Sequence, residues 1–260
     1  MSTSVVYKIV ESPQSPLPKD FLKNLPHIFS QEGTTIYKKR NEIKLFRVGN
    51  ATICVKKYGI APFFNRVFYS LGLRIPKARR AYMYAQRILE CGFQTPVQYG
   101  YVLQYTGGLL GASYSVEAFI ENAKTVADFK QDKELIKAFA RYTAQLHANG
   151  LMHRDYILNN ILFEKDNTGY HFTLIDINRF VFQQKPIRGF LQRMNLMQPF
   201  NDPKELEFFV QEYIRVASVP CSLLKQVKFF RLWRTRYSAL KRFLKKLPGL
   251  RALASRSYRL

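Results

Sequence analysis

The stretch "LMHRDYILNNILF", Leu151 to Phe163, constrains the fold of this chain more than any other. It follows "KELIKAFARYTAQLHANG", Lys133 to Gly150, where Leu135, Ile136, Phe139, Ala140, Tyr142 and Leu146 fall close to one helical face. Gly150 supplies the stop signal for that helix. Beyond the stretch, the apolar runs "NILFEK" and "YHFTLIDI", separated by "DNTG", read as a hairpin that leads to Asp176. The sequence therefore dictates an order of elements: a helix, a His-x-Asp-x4-Asn loop, then a hairpin ending in an aspartate. Upstream, "TTIYKKR", "EIKLFRV" and "ATICVKKY" are strand-like, with turn signals at "RNE" and "VGN", and suggest an antiparallel meander with Lys56 on its third strand.

The other segments fill in around this frame. The proline-spaced opening "SPQSPLPKDFLKNLP" reads as an irregular leader. "PKARRAYMYAQRILECG", Pro76 to Gly92, reads as a helix with Pro at its start and Gly after its end. Two more strands are expected within "VQYGYVLQY" and "ASYSVEAFI", with "TGGLLG" as their turn, and the chain from about Pro186 reads as mostly helical. The expected organisation is a leader over 1–32, a strand-rich lobe over 33–122, a helical lobe with the chemistry-bearing loops over 123–218, and a basic helical extension over 219–260.

Composition narrows the setting. The chain has 41 Lys and Arg against 18 Asp and Glu, a net charge of +23, which attracts phosphates, nucleic acid or an anionic membrane face. Its three cysteines, Cys54, Cys91 and Cys221, show neither metal-ligand spacing nor an even count, so a reducing compartment is expected. No secretory signal is visible, and no apolar run approaches the roughly 18 residues that a membrane span needs.

Phosphoryl transfer requires a carboxylate to orient the attacking hydroxyl, metal ligands at the nucleotide phosphates and a Lys that reaches those phosphates from a strand. The chain carries these parts in the order that protein kinases do. Asp155 is the expected base, Asn160 and Asp176 the expected magnesium ligands, and Lys56 the phosphate-binding Lys; Gly33 and Glu117 are placed with the nucleotide as well. Singly, each is ambiguous. Lys56 has Lys57 beside it in a very basic chain, Asp155 is a common helix-capping residue and Asp176 could simply end a strand. Their conjunction points to an α+β, two-lobed protein-kinase-like fold, with an antiparallel-sheet N-lobe and a helical C-lobe. His153 is expected to be structural, packed against the loop of the second aspartate, with Arg154 bracing the same region.

The departures from protein kinases carry information too. There is no Gly-rich loop beyond Gly33, Asp176-Ile177-Asn178 replaces Asp-Phe-Gly, and no Ala-Pro-Glu follows. Ile157 stands where serine/threonine kinases carry a Lys, and the helix after Pro76 has no mid-helix Glu for Lys56, Glu90 lying in its last turn. A small-molecule or lipid-linked acceptor is favoured over a protein. Taken in order, "RNEIKLF", "VKKY", "PKARRAYMYAQRILECGFQTPVQYGY", "HRDYILNNILF" and "LIDINRF" resemble the Kdo/WaaP-type lipopolysaccharide kinases, from about Gly33 to Val216. The resemblance implies ATP- and Mg²⁺-dependent phosphorylation of a sugar hydroxyl, Kdo or heptose, in the inner core of lipopolysaccharide. It implies a lipopolysaccharide or lipid A-core precursor as partner, and work in the cytoplasm, peripheral on the cytoplasmic face of the inner membrane. The family's functional residues map onto Lys56, Asp155, Asn160 and Asp176.

Charge placement agrees with an anionic membrane surface as a partner. After Glu212 there is no acidic residue, while cations from Lys225 to Arg259 alternate with Phe229, Leu232, Trp233, Leu240 and Phe243. Such a helix can lie in a membrane interface, or its apolar residues can pack on the C-lobe. A second basic cluster, Arg66, Arg74, Lys77, Arg79 and Arg80, surrounds the entry to the helix after Pro76, and with "APFFNRVFYSLGL" before that helix it can touch lipid or phosphate. Alternatives remain a kinase of another small molecule or a protein, or an inactive kinase-like module that binds anionic membrane or glycolipid. No specific nucleic-acid module is recognisable.

Overall fold

The computed structural model describes residues 4–244. The chain divides into two compact units, Met1–Asp128 with Asn159–Phe180, and Phe129–Leu158 with Val181–Leu260.

The first unit is built on a six-stranded antiparallel sheet in the order β1-β5-β6-β4-β3-β2. Its strands are β1 (Val5–Glu11), β2 (Thr34–Lys38), β3 (Glu42–Val48), β4 (Ala51–Tyr58), β5 (Gln98–Thr106) and β6 (Leu109–Ala118). The expected meander is β2–β3–β4, and Gly107 and Gly108, both at positive φ, make the turn between β5 and β6. Successive side chains of a strand face opposite sides, which decides between the two lysines of β4. Ile53 and Val55 enter one core, and Lys57 on the same face lies over the rings of Phe29 and Tyr114. Lys56 shares the opposite face with Cys54 and Tyr58.

Residues 5–31, expected as part of an irregular leader, are instead a structural part of this unit. β1 pairs with β5 along the sheet edge, and α1 (Phe21–Gln31) buries Leu22, Leu25 and Phe29 against Ile53, Val55, Val102, Val116 and Phe46. The spacing i, i+3, i+7 of those three residues is that of a helix face. α2 (Phe63–Ser70) is a short helix after β4. α3 (Lys77–Glu90) covers the Lys56 face, packing Ala78 and Tyr82 on Tyr58, Tyr101 and Leu103. Pro76 precedes it and Gly92, at φ 79°, follows it, as the sequence signals indicated.

β7 (Lys124–Thr125), β9 (Ile161–Asp166) and β10 (Gly169–Leu174) form a three-stranded sheet. This hairpin lies in the segment read as C-lobe, yet it belongs to the first unit. Leu174 N–H donates to Gln94 O at 2.9 Å, and Thr95 Oγ1 donates to Leu174 O at 2.8 Å, which ties it to the chain just after α3.

The second unit contains α4 (Lys133–Ala148), β8 (Leu151–His153), α5 (Gly189–Leu196), α6 (Pro203–Ala217) and α7 (Ser222–Leu244). β8 runs beside β11 (Phe180–Phe182), a short strand at the junction of the two segments. Asp132 caps α4 by accepting from Glu134 N–H and Leu135 N–H, and Asp202 caps α6 in the same way with Pro203 at its first turn. Phe139 stacks on Phe209 in the core at 5.2 Å between ring centroids, and Phe200 lies tilted against Phe209 at 5.3 Å. α7 has a mixed character. Leu223 and Val227 are buried and Lys228 pairs with Glu207 at 2.9 Å, but Phe229, Leu232, Trp233, Leu240 and Phe243 are exposed. Lys241 and Arg242, and every cation from Lys245 to Arg259, lie outside the residues whose side chains are described. No helix among the described residues is long and apolar enough to cross a membrane.

If α1 is an integral layer of this core, Phe29→Ala should cost about 3–5 kcal/mol, the usual penalty for emptying a buried aromatic site. Urea unfolding of the variant against the parent chain measures it; a loss within error of zero would mean that α1 is a dispensable leader.

Candidate active site

Two residues 120 positions apart in sequence meet in the first unit: Lys56 Nζ donates to Asp176 Oδ1 at 2.6 Å. β4 aims Lys56 at the α3 side of the sheet, and the β9–β10 hairpin delivers Asp176 there. Asp176 has left-handed backbone geometry, φ 53° and ψ 44°. That region costs an ordinary L-residue about 1–2 kcal/mol, with Asp and Asn among the most tolerant. Its side chain makes the conformation worthwhile, since Oδ1 also accepts from Asn178 Nδ2 at 2.6 Å. Asn178 is buried, and its role as the second donor to Asp176 was not signalled by the sequence motif alone. The hairpin also brings in Asn160, whose carbonyl accepts from Ile175 N–H at 3.0 Å, one residue before Asp176.

Glu117 belongs to the same face. Cys54 lies opposite Glu117 and Lys56 opposite Ser115 across the β4–β6 ladder, so Glu117 sits diagonally from Lys56. It accepts a short hydrogen bond from Gln98 Nε2. Burial raises the Glu117 pKa, while the Gln98 hydrogen bond and the Lys56 charge hold it down in part. For Lys56, burial works against the charge, but Tyr58, Asp176 and Glu117 more than offset it, and the ammonium is held above its ordinary range. Lys56 is therefore a fixed cation between carboxylates. Cys54, two residues before it, is pushed up to about 12 by burial and by Glu117, so its thiol is not a nucleophile.

Gly33 is not brought to this cluster. It precedes β2 at φ 85°, and a Cβ there would come within 2.6 Å of the Phe46 ring, on the α1 side of the sheet. Its glycine is explained by that close approach rather than by a ligand.

The second unit positions Asp155. Gly150, at φ 72°, lets the chain turn from α4 into β8, where a Cβ would meet Gln183 O at 2.1 Å. The next anchor is Tyr156, completely buried, whose hydroxyl pairs with Thr143 Oγ1 at 2.8 Å and whose ring lies 5.4 Å from that of Phe139. Asp155 N–H donates to His153 Nδ1 at 3.1 Å, and His153 itself is fully buried. Ile157 points outward and is exposed. So the middle of the loop that departs from protein kinases divides its labour: Tyr156 anchors, Ile157 faces solvent.

Behind β8 runs a buried polar chain. Asn195 Nδ2 donates to His153 O at 2.7 Å, and Asn195 Oδ1 lies 2.9 Å from His147 Nε2. His147 Nδ1 lies 2.9 Å from the Tyr213 hydroxyl, which accepts from Gln192 Nε2 at 2.9 Å. These roles close only for a neutral imidazole that donates from Nε2 and accepts at Nδ1. In agreement, burial pulls the His147 pKa down to about 4, against a partial opposing pull from Asn195. A cavity of about 300 Å³ beside this chain is lined by His147, Ile187, Arg188, Gln192 and Tyr213, and holds none of the expected site residues.

A strand lysine paired with a hairpin aspartate, on the face of an antiparallel sheet that α3 covers, is the architecture of the protein-kinase-like phosphotransferases that use an alcohol group as acceptor. The model of the lipopolysaccharide kinase (Kdo/WaaP) family matches residues 60–200, more than half of the chain, and the chain belongs to that family. Among solved structures it is similar to WaaP in complex with acyl carrier protein, at 15% identity over 86% of this chain and 98% of that one, with a TM-score of 0.58. It is also similar to the Rio2 kinase-ADP/Mg²⁺-phosphoaspartate complex from Chaetomium thermophilum, at 15% identity over 85% of this chain and 70% of that one, with a TM-score of 0.48. No curated protein matches the chain.

The neutral His147 carries a pH signature. The unfolded chain binds a proton at His147 below about 6.5, the folded one only below about 4, so stability should fall as pH drops through that window. The fall attributable to this residue should be about 3 kcal/mol. Denaturant unfolding across the window, compared with His147→Gln, measures it; identical pH slopes in the two proteins would contradict a neutral His147.

Proposed function

We propose that this chain transfers the γ-phosphoryl group of ATP to a hydroxyl of Kdo or heptose in the inner core of lipopolysaccharide. The observation that carries the reading is the 2.6 Å contact between Lys56 and Asp176, two residues that phosphoryl transfer needs at the same nucleotide. Family membership supplies the acceptor class.

In this reading Asp155 accepts the hydrogen bond of the sugar hydroxyl and takes its proton as the oxygen attacks. The new bond joins that oxygen to the γ-phosphorus, the bond to the bridging oxygen breaks, and ADP leaves. Lys56 steadies the phosphates. Asp176 and Asn160 are suited to Mg²⁺, which favours oxygen donors and commonly takes one or two protein ligands, with phosphate and water completing its shell. When bound, the ion neutralises charge on the phosphate oxygens. Glu117 takes the place of a mid-helix acid: α3 offers Lys56 no carboxylate in its middle, while β6 offers one on the correct face.

A sugar acceptor is supported by what the chain does without. Only residues 180–188 separate the turn Ile177–Arg179 from α5, too few for a long peptide-anchoring segment, and Ile157 supplies no cation. The exposed stripe Phe229, Leu232, Trp233 and Leu240 on a basic helix supports work at an anionic membrane surface, on the cytoplasmic face of the inner membrane where lipid A-core precursors are exposed.

Asp155→Ala should lower label transfer from ATP to truncated lipopolysaccharide by about 10²–10⁴-fold, the usual contribution of a positioned base, with the unfolding midpoint unchanged. Free sugars and a protein mixture serve as competing acceptors. Undiminished transfer in the variant, or transfer to protein alone, would overturn the reading.

A further inference from the structure

The segment between β4 and α3 rests Tyr69 against the Tyr58 core cluster but turns much of its apolar surface outward. α2 contains no buried residue. Ile60, Phe63, Phe64, Leu71 and Leu73, at its two ends, are 60–76% exposed. Single exposed apolar side chains are ordinary on protein surfaces, but a run of five within fourteen positions is a patch, and patches mark interaction sites. Nor is this exposure the result of a loose segment. Arg66 Nε donates to Leu110 O at 2.7 Å, and Ser70 Oγ accepts from Leu110 N–H at 2.9 Å while donating to Arg66 O at 2.8 Å. Arg74 donates to Asn65 Oδ1 at 2.9 Å and lies over the Phe68 ring, tying the end of the segment back to the helix. The patch is held out on a hydrogen-bonded mount.

Its surroundings identify what it meets. From Ile43 to Leu89 the chain has no acidic residue, while Arg66, Arg74, Lys77, Arg79 and Arg80 lie within α2 or follow it closely. Paired apolar rings (Phe63 and Phe64 are 5.9 Å apart, edge to face) in a segment rich in cations and free of acids, with Arg74 and Arg79 exposed, match a bilayer interface, with hydrocarbon for the rings and anionic headgroups for the cations. We infer that α2 and its flanks, Ile60 to Leu73, insert into the headgroup region of an anionic bilayer as a docking element of the first unit. This element is separate from the exposed stripe of α7, and it brings a membrane contact to the unit that carries Lys56.

Vesicle binding needs neither nucleotide nor sugar acceptor, so its outcome is independent of the phosphotransfer reading. The full chain is sedimented with vesicles of phosphatidylethanolamine containing phosphatidylglycerol, and with vesicles of phosphatidylcholine alone. The chain should bind the first far more tightly, and the double variant Phe63→Ser, Phe64→Ser should lose about tenfold or more in affinity. Because the chain has one tryptophan, Trp233, the variant Phe64→Trp in a Trp233→Phe background reports on α2 alone. Its emission should shift to the blue with anionic vesicles and be quenched by brominated lipid. Unchanged emission while the chain co-sediments would show α7 docking without α2, and would overturn the inference. So would absence of anionic-vesicle binding, or a double variant whose only change is its oligomeric state.

Discussion

The ion pair between Lys56 and Asp176 is the constraint on which the first unit turns. For it to form, β4 must present alternate residues to opposite faces, α3 must leave room beside Tyr58 and the β9–β10 hairpin must be fastened to the chain after α3. The hairpin is fastened through Gln94 and Thr95, and its aspartate is then held in a left-handed conformation by two donors. An isolated lysine at this depth would be costly to charge. Here two carboxylates and the Tyr58 ring retain the proton, and the result is a cation of fixed position.

The second unit solves a different problem, that of holding a short irregular loop. Backbone groups outside helices and strands need other partners when buried, and here side chains supply them. Tyr156 N–H donates to Gln198 Oε1, Asn195 serves the carbonyl of His153, and His153 serves the amide of Asp155. The polar chain through His147 and Tyr213 fixes Asn195 in turn. The loop is thus positioned by His153, by the neutral His147 of α4 behind it and by a buried tyrosine, while Asp155 itself stays half-exposed.

Much of this was legible in the sequence because each element announced itself locally. Turn residues bounded the meander, Pro76 and Gly92 bracketed α3, and the apolar period of α4 stopped at Gly150. Lys56 pairs with Asp176, Glu117 lies diagonally from Lys56 across the β4–β6 ladder, Asn160 joins them through its carbonyl to Ile175, and Gly33 lies against Phe46. What escaped did so for physical reasons. α1 contains Pro26 and begins at Asp20, which is left-handed and makes no capping side-chain bond, so the usual start signals are missing even though Leu22, Leu25 and Phe29 keep a helical spacing. β1 is an exposed edge strand without the alternation of a half-buried one. α2 is only eight residues long and buries none of them fully, so its exposed Phe63 and Phe64 blur the reading of that segment. The buried role of Tyr156 follows from Phe139 and Thr143, thirteen or more positions earlier, and no local pattern encodes it.

On the proposed reading, the chain adds one phosphate to a sugar of the lipopolysaccharide core. Mass spectrometry of lipopolysaccharide from cells with and without the chain tests it most directly. Loss of the chain should lower the mass of the core by that of one phosphoryl group, with fragmentation assigning the missing group to Kdo or heptose. A core of unchanged mass and phosphate content in cells lacking the chain would contradict it.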